Sequence, residues 1–141
     1  MSLSTRKHAG ILLVILPTVI YGGVSILHLL IRDPRYAQNH LRQDLWRAGH
    51  AHAGVLLLLS LIALLYLDHS ALSAGAKTFV RISVPTSAIL LPLAFFFSVL
   101  TPDATSPNAV IYVAYLGAVQ LAAGLVVLGV GLIRNETKTP A

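Results

Sequence analysis

Three histidines carry most of the chemistry that this chain can offer. His50 and His52 stand in Gly49-His50-Ala51-His52-Ala53-Gly54, where an arginine-bearing segment turns into a run of leucines; His28 comes near the end of an earlier apolar stretch. Imidazole titrates near neutral pH and ligates haem iron, copper or zinc, and an ionisable ring inside a membrane span marks a functional place by default. His50 and His52 are two positions apart, so on a regular helix they point about 200° apart. One helix brings two histidines onto one metal ion only at a spacing of three or four. The spacing turns His50 toward the interior, on a face with Gln43, Trp46, Ala53, Gly54 and Leu57, and sends His52 to an edge or a subunit contact. A haem b or a transition metal would use His28 and His50, with His52 as a further cofactor-binding candidate.

Other polar groups surround these three. Thr18, Tyr21, Ser25 and His28 fall within an arc of about 80° on a helix. Lipid cannot satisfy such a stripe, so it is expected to face protein or water. Thr18 and Ser25 are read more simply as small hydroxyl residues that let helices pack closely. Asp103 and Tyr112 belong to the same end of the molecule as the histidines, and Gln120, at mid-membrane, is expected to have a hydrogen-bond partner. His8, His40 and His69 read as surface residues. No nucleophile or paired carboxylate stands at a spacing that supports hydrolysis or group transfer.

The elements that must position these groups follow from hydropathy. Hydrophobic residues make up 56% of the 141, and charged residues only 11%. That is too few charges for a soluble surface. A bilayer span takes about 20 apolar residues, and Ala9–Ile31, Gly49–Leu67, Phe79–Leu100 and Asn108–Ile133 each qualify. The first is too long for a signal-peptide core and lacks a cleavage pattern. The expected fold is all-α: a transmembrane four-helix bundle with short loops, one integral membrane domain over 1–141. The net charge of +5 is spread over helix flanks, where it faces anionic lipid rather than nucleic acid. The chain has no cysteine, which excludes thiolate metal sites and iron–sulfur clusters within it. Arg6, Lys7, Lys77, Arg81, Arg134 and Lys138 fall on one side, against Arg32, Arg35, Arg42 and Arg47 on the other. This bias places both termini in the cytoplasm.

Between the spans, Asp33-Pro34 reads as an N-cap and first helical position, with helix continuing into the second span. Tyr36 and Trp46 suit the head-group layer, and the four arginines of this loop read as solvated. The second loop is a turn with Gly75 as breaker. In the third span, Pro85 and Pro92 share one side, while Ser83, Thr86, Ser87, Leu90, Ala94 and Ser98 offer a packing face opposite. Gly117, Gly124 and Gly131 repeat every seven residues and form a groove for another helix, open to a homo-oligomer or a membrane partner subunit.

The segment Leu41-Arg42-Gln43-Asp44-Leu45-Trp46-Arg47-Ala48 followed by Gly49–Gly54, together with Tyr21-Gly22-Gly23-Val24-Ser25, resembles a group of small four-span bacterial membrane proteins of uncharacterised activity. The resemblance implies a bacterial cytoplasmic (inner) membrane and no particular reaction. The His-Ala-His triplet is also similar to one in membrane haem proteins of the oxidase and nitric-oxide-response type, over three residues and without their other ligands. The leading expectation is an accessory or scaffold membrane protein with a histidine-bearing polar site. Haem or metal binding is the alternative, and proton-linked transport by an oligomer, along the stripe toward Gln120, is a second.

Overall fold

The computed structural model describes residues 1–136, side chains through Arg134; Lys138 lies outside the described residues. It is all-α, with no strand among them. Helix α1 is Leu3–Arg32, a short α2 is Pro34–Gln38, α3 is His40–Leu67, α4 is Ala74–Ser98, and a 3-10 turn, Ala109–Tyr112, leads into α5, Val113–Glu136. Four of these are long and apolar enough to cross a membrane.

Local chemistry explains most boundaries. Ser2, Asn39 and Ser73 cap α1, α3 and α4 by accepting hydrogen bonds from backbone N–H groups two or three residues into each helix. Asp33 caps α2 in the same way, with Pro34 at its first position. The helix does not continue unbroken into the second span. Asn39 leaves the helical region, with φ −100° and ψ 90°, and starts α3 afresh. Gly75 breaks nothing either: Ser73 initiates α4, and Gly75 sits in its first turn. Arg81, one of the basic residues of the amino-terminal side, is two turns inside α4.

The long helices pack in chain order. α3 lies on α4, α4 on α5, and α1 mainly on α3, while α1 and α5 make no contact among the described residues. α4 is accordingly the most buried span and α1 the least. The core runs along the α3–α4–α5 seam through Leu57, Leu64, Leu67, Val80, Val84 and Leu128. Gly117, Gly124 and Gly131 belong to that seam. A Cβ built on Gly124 would come within 2.5 Å of Ser83 Oγ and 2.7 Å of Val84 Cγ2, and one on Gly131 would collide with Leu72. This face is filled by α4 and the loop before it, so it is not open to a partner.

Candidate functional site

The end of the molecule that carries α2 is built around the last carbonyls of α4. A helix leaves its final four carbonyls without intrahelical partners. Here each carbonyl from Phe95 to Leu100 has a donor. Ser98 Oγ donates to Phe95 O at 3.0 Å, Trp46 Nε1 to Phe96 O at 3.2 Å, and Asn108 Nδ2 to Phe97 O at 3.0 Å. Asn108 N donates to Ser98 O at 2.8 Å, and Arg42 reaches Val99 O through Nε at 3.1 Å and Leu100 O through Nη2 at 3.4 Å.

Arg42 is therefore not a solvated arginine. It is 5% exposed, with its guanidinium 4.6 Å from the Trp46 ring centre and 5.6 Å from that of Tyr36. Tyr36 is fully buried rather than anchored among head groups, and its hydroxyl has no hydrogen-bond partner among the described residues. Burial raises the Tyr36 pKa above the ordinary phenol value, although Arg47 and Arg42 work against that shift. Gln43 Nε2 donates to Tyr36 O and Ala37 O, which fastens α2 onto α3. Asn39 Nδ2 donates to Pro102 O and Ala104 O, both at 3.0 Å, which ties in the third loop. Sequence patterning shows these residues as a polar flank; it does not show that their donors meet the end of α4.

The histidines take three separate positions. His50 lies between α3 and α1: a Cβ on Gly23 would be 2.9 Å from its Nε2, and one on Gly22 would be 3.8 Å from its Nδ1. The two glycines thus make room for the ring. His28 is exposed, five residues beyond Gly23, which places it about 140° around α1 and 7–8 Å further along. His28 and His50 consequently occupy neither one level nor one face. His52 is exposed on the other side of α3, its Nδ1 2.7 Å from Ala48 O and its ring 5.1 Å from that of Phe95. No group of three or more metal-ligating side chains forms among the described residues.

The remaining candidates disperse as well. Thr18 and Tyr21 are exposed and Ser25 half-buried; Tyr21 and His28 look outward, while Thr18 borders a groove between α1 and α4. Thr18 and Ser25 donate to carbonyls of their own helix, at Ile15 and Tyr21. Tyr112 is exposed and stacks on Tyr115, with ring centres 6.2 Å apart. Asp103 is exposed beside His40 and Arg35, on the rim of a polar hollow between α2 and the third loop, away from the three histidines. Gln120 is half-buried and makes no hydrogen bond among the described residues. Comparison with known protein families, curated proteins and solved structures returns no match.

Proposed function

We propose that this chain is a small accessory or scaffold protein of a bacterial cytoplasmic membrane, both termini cytoplasmic, that docks through the outer face of α1. One observation carries the reading. Tyr21, 75% exposed, and His28 stand on a side of α1 opposite the one that packs on the core among the described residues. Acyl chains leave a phenol hydroxyl and an imidazole without partners, so polar groups on such a face belong against protein. The docked helix comes from another membrane protein or from a second copy.

The absence of cysteine makes the test clean. Val24, 60% exposed, is three residues from Tyr21 and four from His28, on the same face. Val24→Cys, carrying a short photocrosslinker in native membranes, should give one discrete adduct, lost when Tyr21 and His28 are both changed to leucine. A Val24→Cys protein that crosslinks only to lipid ends the proposal.

The haem or metal reading through His28 and His50 needs two rings on one ligand, which their separate faces do not offer. A proton path from the stripe to Gln120 needs contact between α1 and α5, and the described residues have none. A second reading attaches instead to His52. Its Nδ1 is held by a backbone carbonyl, the arrangement that fixes a ring for ligation through Nε2. A Soret band or bound transition metal in protein purified in mild detergent, lost in His52→Ala, would support it; a colourless, metal-free protein would not.

A further inference from the structure

A groove opens at membrane depth where α1 and α4 both lean on α3 but scarcely meet each other. Its walls include Ile11 and Ile15 of α1 and Ile89 and Leu93 of α4, with Ala53 and Leu57 of α3 as floor. The cavity is about 330 Å³ and almost wholly apolar. That falls within the range of small-molecule sites, about 300–1,000 Å³. It extends from His8 to Val19 along α1 and from Pro85 to Phe96 along α4, a length of about 17 Å at 1.5 Å per residue.

Basic residues stand just beyond the end of the groove nearest the amino terminus, where His8 is the one that lines it. Pro85 lies one turn past Arg81, and His8 lies one turn past Thr5. Arg81 Nη2 donates to Thr5 Oγ1 at 3.4 Å across the gap between α4 and α1. That is the only hydrogen bond Arg81 makes among the described residues, and its Nε is buried with no acceptor. A guanidinium has five N–H donors, and an unserved one is costly when buried. The nearby carboxylate, Asp68, is already engaged by Ser2 N and Thr5 Oγ1. His8 Nδ1 is likewise engaged, by Ser4 O, leaving Nε2 available at the mouth. Arg6, Lys7 and Lys77 add positive charge to the same membrane face.

We infer that this groove holds one acyl chain of an anionic phospholipid, whose phosphate supplies the acceptors that Arg81 lacks, with His8 beside it. Basic hollows between spanning helices are suited to lipid phosphates, and a guanidinium matches a phosphate through paired hydrogen bonds. A tail in the groove would also cover the seam that α1 and α4 leave open. The inference does not depend on the docking proposed for α1, which uses the opposite face of that helix.

The test is native mass spectrometry of the full chain after reconstitution in vesicles of phosphatidylcholine with a minor share of phosphatidylglycerol. One phosphatidylglycerol per chain should remain bound. Arg81→Gln should lower that occupancy at least tenfold, Arg81→Lys should restore much of it, and Arg35→Gln at the far end should leave it unchanged. Ala53→Leu fills the floor and should displace the lipid without altering the basic mouth; circular dichroism and elution volume verify that each variant is folded. Equal retention of phosphatidylcholine overturns the charge argument, and phosphatidylglycerol retained in Ala53→Leu overturns the groove. Displacement of the phospholipid by oleate at equal concentration would assign the site to free fatty acids and overturn the inference, as would a chain that keeps no lipid.

Discussion

Arg42 has two tasks that no other residue type combines. Its planar fork reaches two successive carbonyls at the end of α4 while its flat face lies against Trp46 and Tyr36. Removing it in Arg42→Ala leaves Val99 O unserved in a buried place and Leu100 O without its protein donor. The expected loss is about 2–3 kcal/mol from hydrogen bonds to a charged donor. Arg42→Lys should recover less than half of it, because an ammonium cannot present the fork or stack on a ring. Thermal unfolding in detergent reads both variants, and an Arg42→Ala protein as stable as the parent would contradict this role. A counterpart at α1 is Gly23→Leu, whose side chain would take the space of the His50 imidazole. It should separate α1 from α3 while leaving the α3–α4–α5 seam intact, seen as faster hydrogen exchange confined to α1. Sequence alone turns His50 inward because only small residues and one polar face surround it. What it meets there was not legible, since the matching surface, Gly22-Gly23, lies on another helix and reads locally as a flexible spot. Arg42 and Tyr36 depart from their sequence pattern for a related reason. An arginine and a tyrosine at a helix flank have the same local pattern whether they face lipid head groups or cap a neighbouring helix.

Among the helices, α4 is held by contacts that leave no room for growth. Gly124 faces Ser83 and Val84, and Gly117 faces Leu90 and Leu91, so α5 approaches α4 with glycine at each crossing. Gly124→Ala must displace the Ser83 hydroxyl and a Val84 methyl, and overpacking of this kind costs about 1–3 kcal/mol. Gly129→Ala meets nothing within 4 Å; it should be neutral or gain up to about 1 kcal/mol in helix propensity. The two variants, one substitution apart in chemistry and five residues apart in chain, separate packing from propensity in a single denaturation series. Equal behaviour would show that the α4–α5 seam is looser than its geometry requires. The four spans themselves were legible because hydropathy over 18 or more residues needs no tertiary information. Their ends were less so: Ser2 and Asn39 set helix starts through side-chain caps that hydropathy does not register. The seven-residue glycine repeat reads in sequence as a surface for a partner, since a small-residue face looks the same whether its neighbour belongs to this chain or another.

At the scale of the whole molecule, α1 is an outrigger. Beyond the apolar packing of Leu12, Ile15, Leu16 and Val19 against the core, it is fitted to the other helices at the His50 ring over Gly22-Gly23 and tied at its amino terminus, where Ser2 N and Thr5 Oγ1 both donate to Asp68 at the end of α3. Burial favours the neutral form of that carboxyl, but the hydrogen bonds from Ser2 and Thr5 outweigh it together, and the Asp68 pKa is held below its ordinary value. A carboxyl whose pKa is lower folded than unfolded binds fewer protons in the folded state. Its contribution is therefore complete above the unfolded value, about 3.9, and is lost as pH falls through the folded one. The tie should hold throughout the neutral range and release only in acid. Hydrogen exchange of residues 2–12 in detergent should accelerate below about pH 4, while exchange in α4 stays slow. Asp68→Asn keeps an acceptor but removes the charge, so it should show raised exchange of the same residues already at neutral pH and little further change on acidification. If Asp68→Asn matches the parent at every pH, the carboxylate does not hold the amino terminus, and the apolar packing of Leu12 and its neighbours with the His50 contact must keep α1 in place.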